Sequence, residues 1–132
     1  MSTTATGTFE VKLAPQSNDS AAGGSSLGRL SIDKQFHGDL EATSKGEMLS
    51  AMTGVQGSAG YVAIERVTGS LHGKHGSFVL QHSGTMTRGT PHLIVTVVPD
   101  SGTDELSGLT GSMEIIVAAG SHSYRFEYEL AR

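Results

Sequence analysis

Glu65 and His82 are the residues of this sequence whose types and positions suggest chemistry. They lie in the stretch 60–84, GYVAIERVTGSLHGKHGSFVLQHSG, which reads as two strands joined by a tight glycine-rich turn. Side chains alternate along a strand, so Tyr61, Ala63, Glu65 and Val67 share one face of the first strand. Phe78, Leu80 and His82 share one face of the second. A carboxylate and an imidazole therefore stand on otherwise apolar faces of neighbouring strands. A carboxylate in an apolar lumen is expected to have its pKa raised by desolvation and to serve as acid or base near neutrality. The plainer alternative for Glu65 is an ion pair with a basic group at a barrel rim. Arg66 itself is not expected to be that group, because adjacent strand residues face opposite ways. For His82 the alternative is a core histidine bonded to a backbone carbonyl.

The turn decides whether the two meet. Residues 70–76 join consecutive strands, so antiparallel pairing is the default. A turn centred on Gly73 or Lys74 sets Glu65 opposite Gln81, His82 or Ser83. The His82 register is expected, because it also keeps Phe78 and Leu80 on the face of Tyr61 and Ala63. Glu65 and His82 then both point into a barrel, close enough to share a proton or one bridging water. A bulge at Gly69 or Gly76 would shift this by one residue and turn His82 outward.

The rest of the chain reads as strands too. Residues 6–14 alternate, with Phe9, Val11 and Leu13 against Thr8, Glu10 and Lys12. Residues 27–36 place Leu30, Ile32 and Phe36 inward, with Arg29, Ser31 and Asp33 outward. Further strands are expected at 40–48, 60–71, 77–86, 91–99, 106–118 and 121–130, with 49–58 a loop. Pro91 and Pro99 stand at the ends of the sixth strand, where a missing N–H costs least. No stretch shows a helical period, and SGTDE at 101–105 reads as a turn although it resembles a capping box. Segments 1–6 and 15–26 are expected to be flexible. Eight short strands with glycine-rich turns predict an all-β fold of one domain spanning 1–132, an eight-stranded, mostly antiparallel barrel.

Composition narrows the function classes. With 132 residues the chain supports one domain with one core. A net charge of −4 without a basic patch argues against nucleic acid and anionic membranes as partners. There is no cysteine, which excludes disulfides and thiolate chemistry. No signal peptide and no bilayer-spanning apolar run is recognised, so a cytoplasmic location is expected. Leu93, Val95 and Val97 alternate with Ile94, Thr96 and Val98, and one set alone can fill a lumen. The other set would leave an exposed apolar patch, which predicts a homo-oligomer, a dimer or trimer.

GYVAIERVTG at 60–69, GSFVLQH at 76–82, SGTDELSGLTG at 101–111 and HSYRFEY at 122–128 together resemble a bacterial domain family of unknown function. That family is similar to the allene-oxide-cyclase-like barrels, the shared piece being a glycine-rich turn running into LSGLTG at 106–111. The resemblance implies an eight-stranded antiparallel barrel with a largely apolar cavity.

Tyr61, Gln81, His122, Tyr124 and Tyr128 are candidates to line a ligand pocket, each against ordinary strand packing with an outward polar tip. His72 and His75 have a spacing metals use but no nearby carboxylate in sequence, so no metal and no cofactor is expected. Two functions remain open. One is a module binding a small apolar molecule in the lumen. The other is a cyclase or isomerase in which Glu65 or His82 moves a proton. A third possibility is a filled barrel acting through its outer surface.

Overall fold

The computed structural model describes residues 2–20 and 26–130, without the side chains of 17–20. Eight strands close into a barrel in which each pairs antiparallel with the next and β8 returns to β1. They are β1 (Thr3–Ser20), β2 (Ser26–Gly38), β3 (Leu40–Met52), β4 (Ala59–Leu71), β5 (Lys74–Thr87), β6 (Thr90–Val97), β7 (Leu109–Ala118) and β8 (Ser121–Leu130). The all-β barrel expected from the alternation is therefore the fold. Among the described residues the helical content is one 3-10 turn, Asp104–Leu106. No helix there is long and apolar enough to cross a membrane.

Several strands run further than their apolar pattern. β1 begins at Thr3 and reaches Ser20, and β2 begins at Ser26, so most of the two segments expected to be flexible is ladder. Polar side chains are tolerated there because the ladder is a backbone property. The part of that expectation that falls on residues 1 and 21–25 lies outside the described residues. β3 continues through Met52 into the expected loop. β7 starts at Leu109, because 104–106 form the 3-10 turn whose Leu106 is buried.

Alternation gives the barrel its inside. Phe36, Leu40, Leu71, Phe78, Leu106, Leu109, Phe126 and Tyr128 pack at the end that holds the β2–β3 and β4–β5 turns. Phe126 stacks between Phe78, at 5.7 Å, and Tyr128, at 5.4 Å. The segment after β6 straps this end. Ser77 and Thr103 exchange hydrogen bonds of 2.9 and 3.0 Å, and Ser101 Oγ accepts from the Val79 N–H at 3.0 Å. This end is a plug, and the opposite end is the mouth.

The seam between β6 and β7 is the weakest in the wall, with Thr96 opposite Ser112 as its one ladder pair. On β6, Val95 and Val97 are buried in the lumen while Ile94 is 52% exposed outside. Leu49, Val62 and Ile64 join Ile94 on the outer wall, aligned across β3 to β6 by the pairings Leu49↔Val62, Val62↔Ser83 and Ser83↔Ile94.

Phe126→Ala should lower the free energy of unfolding by about 3–5 kcal/mol, the usual cost of truncating a buried aromatic. Urea denaturation followed by tyrosine fluorescence or far-UV dichroism measures it. A loss below about 1 kcal/mol would contradict the plug as the centre of stability.

Candidate functional site

Midway along the barrel the interior changes from hydrocarbon to charge. Glu65 on β4 is fully buried, with 0% exposure, and Lys34 on β2, Ser44 on β3 and His82 on β5 are buried around it. Lys34 Nζ donates to Glu65 Oε2 at 2.8 Å, and Ser44 Oγ donates to Oε1 at 2.5 Å. His82 Nε2 lies 2.5 Å from Oε2. The Lys34 ammonium also sits 5.0 Å from the Phe9 ring centre and 5.7 Å from that of Phe36, a cation–π setting within the apolar lumen.

The backbone makes this cluster by parity. Ile32, Lys34 and Phe36 share the inward face of β2, as Ala42 and Ser44 do on β3. The β4–β5 hairpin turns through His72 and Gly73, both at positive φ, with Leu71 opposite Lys74. That two-residue turn is one step tighter than the expected one and moves the register by two residues. Glu65 therefore stands opposite Leu80, and His82 opposite Ala63. A shift of two preserves the face, so His82 reaches Glu65 on the diagonal. Gly46 lies across from Glu65 on β3, where a Cβ would come within 2.6 Å of the Glu65 Cα. Its lack of a side chain lets β3 approach β4 beside the carboxylate.

The electrostatics reverse one expectation. Burial does push the Glu65 carboxyl upward, and it is the largest single influence. The hydrogen bond from His82, the Lys34 charge and hydrogen bond, and the Ser44 hydroxyl together outweigh it. They hold Glu65 down from 4.5 to about 2. Glu65 is thus an ionised structural anion near neutrality, not a poised acid, and the ion pair weighed against catalysis does form, in the barrel interior with Lys34. An ionised carboxylate accepts hydrogen bonds and cannot donate them. The proton between the two groups therefore belongs to His82 Nε2. No described residue engages the other nitrogen, Nδ1, yet no partnerless side-chain nitrogen or oxygen is sealed from solvent among the described residues. The His82 side chain is 4% exposed, and His82 lines a concavity of the outer wall rather than the cavity at the mouth.

Above the cluster lies a mouth cavity of about 330 Å³, lined by Met48, Met52, Tyr61, Met86, Pro91 and Leu93 among others. Gly84 makes room for Tyr61, since a Cβ there would sit 2.5 Å from the Tyr61 Cε1. Burial, and then the Glu65 charge, push the Tyr61 hydroxyl pKa upward. On β4 and β5 the cavity lining ends at the Tyr61↔Gly84 pair, two pairs above His82, which does not line it. A larger concavity of about 690 Å³ lies on the outer wall around Leu49, Val62 and Ile64. It is open and apolar, and suits a protein surface better than a small molecule.

The remaining sequence candidates scatter. His122 is half-buried, its ring 5.1 Å from Phe9, beside the β7–β8 turn. Gln81 points outward, as its parity opposite Leu80 and His82 requires, and so does not line the lumen. Tyr124 and Tyr128 belong to the plug rather than the cavity. The Tyr124 hydroxyl accepts from the Leu40 N–H at 2.9 Å and donates to the His37 carbonyl at 3.0 Å, while that of Tyr128 meets His72 Nδ1 at 2.5 Å. No group of three or more metal-ligating side chains occurs among the described residues. Lys34 and Ser44 were missed from the sequence, although the parity of Ile32 and Phe36 marks Lys34 as inward.

A group whose carboxyl pKa is depressed by folding stabilises the fold above its unfolded pKa. That stabilisation fades as pH falls through the folded value. The protein should therefore lose roughly 3 kcal/mol of stability through Glu65 between about pH 5 and pH 2, at about 1.4 kcal/mol per unit. Acid titration of the urea midpoint reads this, and Glu65→Gln should flatten the Glu65 part of the curve. Lys34→Met, which strands a buried anion, should cost about 3–5 kcal/mol at pH 7, and an unchanged urea midpoint would refute the pairing.

Comparison with known proteins places the chain. The model of the family described as "Protein of unknown function (DUF3224)" matches residues 5–128. A crystal structure of a protein of unknown function from the same family, from Shewanella oneidensis MR-1, superposes with a TM-score of 0.96 at 53% sequence identity. The match covers 100% of this chain and 99% of that one. A comparison with curated proteins finds no match. With the family model matching nearly the whole barrel, the chain belongs to the DUF3224 family of proteins of unknown function.

Proposed function

We propose that this protein binds a small, largely apolar molecule in the mouth of its barrel. The observation that carries the proposal is the apolar cavity of about 330 Å³ set directly above a buried charged cluster. Ligand pockets are commonly concavities of about 300–1,000 Å³, mostly apolar with a few placed polar groups. Three methionines in the lining give a surface that adapts to a ligand's shape. Burying Lys34 and Glu65 is a weak source of stability, since similar apolar residues would serve the fold as well. A costly polar group under an open cavity is a common mark of a site. The resemblance to the allene-oxide-cyclase-like barrels, whose lumen is a largely apolar cavity, supports the same reading. The cytoplasm is the location we propose.

The short His82–Glu65 contact favours a second reading, proton transfer in a cyclase or isomerase. In it His82 is the group that moves the proton and Glu65 fixes its tautomer and orientation, as a buried carboxylate does for a catalytic histidine. Glu65→Gln would then remove turnover while leaving apolar binding in place.

The exposed row Leu49, Val62, Ile64 and Ile94 supports a homodimer, a second copy of this chain covering the outer wall. Arg29 and Glu47, 3.3 Å apart, border that wall with one charge of each sign, so a two-fold partner presents complementary charges to it.

Three measurements check these readings. The uncharged fluorophore N-phenyl-1-naphthylamine should bind and brighten, and Met86→Arg at the mouth should abolish the signal. Absence of any saturable signal, together with native mass spectra free of a co-purifying molecule, would sink the cavity reading. Light scattering should give a dimer at micromolar concentration, and Val62→Asp should yield a folded monomer; a monomeric parent protein would remove the dimer.

A further inference from the structure

The cavity reading leaves the ligand's polar end undefined, and the tyrosines supply a definition. The chain has three. Two have their hydroxyls engaged inside the plug, Tyr124 with the Leu40 N–H and the His37 carbonyl, and Tyr128 with His72. Tyr61 lines the mouth cavity, and its hydroxyl has no hydrogen-bond partner among the described residues. No partnerless side-chain oxygen is sealed from solvent there, so the half-buried Tyr61 leaves its hydroxyl accessible. The ring stands on the inner face, because Tyr61 shares parity with Ala63 and Glu65 and packs where a Cβ on Gly84 would lie. Ser50 faces Tyr61 from β3, lines the same cavity and likewise has no side-chain partner among the described residues. Residues directly opposite hold their Cβ atoms about 4.5–5.5 Å apart. Two free hydroxyls thus make one polar spot in a wall that Met48, Met52, Met86 and Leu93 keep apolar.

The lining selects against charge. Among the described residues that form it there is no lysine, arginine, aspartate or glutamate, and His92 is the one titratable side chain besides Tyr61. A charged group drawn into this cavity would lose its hydration and meet no counter-ion, which is costly. Burial and the Glu65 charge keep Tyr61 a phenol, so its O–H is available as a donor. A carbonyl oxygen carries two lone pairs and no hydrogen. It can accept from Tyr61 and Ser50 together and brings no further donor into the apolar wall.

We infer that the mouth cavity takes a neutral, largely apolar molecule with one carbonyl oxygen, a ketone or an ester, held by the Tyr61 hydroxyl with Ser50 beside it. This rests on the cavity reading above. The hydrocarbon body of the ligand lies against the methionines, and the carbonyl fixes which end enters first. Binding is reversible and forms no covalent bond. A carboxylate of the same shape keeps the apolar contacts but loses its hydration without an ion pair in return.

The test uses three probes of one shape: 2-acetylnaphthalene, 2-isopropenylnaphthalene and naphthalene-2-carboxylate. The second replaces the carbonyl oxygen by a methylene, and the third makes the polar end an anion. In calorimetry at pH 7 the carboxylate should bind at least about tenfold more weakly than the ketone. Tyr61→Phe keeps the ring against Gly84 and removes the donor. It should lower the ratio of ketone to alkene affinity by about three- to tenfold, the usual worth of one net hydrogen bond. A Tyr61 that served packing alone would leave that ratio unchanged. In the parent protein the infrared carbonyl stretch of the bound ketone should lie below its value in hexane, and Tyr61→Phe should raise it. A hexane-like stretch in the parent protein, an unchanged ratio in Tyr61→Phe, or a carboxylate bound as tightly as the ketone overturns the inference. The first and the last of these need no variant. If N-phenyl-1-naphthylamine still binds saturably in that case, the inference alone falls. If neither it nor any of the three probes binds, the cavity reading falls with it.

Discussion

A carboxylate with no access to water has to be compensated from within the protein, and that requirement governs this barrel. Glu65 receives its compensation from three other strands: Lys34 from β2, Ser44 from β3 and His82 from β5. Side chains alternate with a period of two, so a slip of one residue between any adjacent pair of these strands turns a partner outward. A buried anion left short of partners costs several kcal/mol, as much as the loss of a large core side chain. The cluster therefore acts as a register lock over half of the wall. The same slip would turn the plug's apolar side chains outward, and the charged row adds the cost of an uncompensated anion to it.

The fold was legible because strand alternation survives almost everywhere. Residues 121–130 show it plainly, with Tyr124, Phe126 and Tyr128 buried and Arg125, Glu127 and Glu129 exposed. The site was half legible. Glu65 and His82 betrayed themselves as polar residues on apolar faces, and they do meet in the lumen. Lys34 obeyed the same parity, yet a lysine reads as solvated until a buried partner is known. That omission also misled the electrostatics. Desolvation alone raises a carboxyl pKa, and the sign reverses once the ammonium and the imidazole N–H are counted. The hairpin register depended on whether His72 would accept a left-handed conformation, which alternation does not report. Tyr124 and Tyr128 looked like pocket residues because position along the barrel axis is invisible in a period of two.

The two ends of the molecule divide the work. The plug gathers the aromatic side chains, the tyrosine hydroxyls bonded to turn backbone and the strap over β5. The mouth holds flexible thioethers, one tyrosine and glycine-rich turns. Changes at the mouth should cost the fold little, and changes at the plug should cost it much. The charged row sits at the boundary and belongs to both.

The seam between β6 and β7 bears on how such a vessel fills. The plugged end is closed, so the guest proposed above would have to pass the mouth or the wall beside it. Parting any other neighbouring strands means breaking a long run of ladder hydrogen bonds. Parting β6 from β7 above Thr96 breaks almost none, because Leu93 to Val95 have no ladder partner on β7. The wall is a hoop with a split in it, and the split reaches the rim beside Leu93. Spreading β6 from β7 would widen the mouth at a smaller cost in ladder hydrogen bonds than parting any other neighbouring pair.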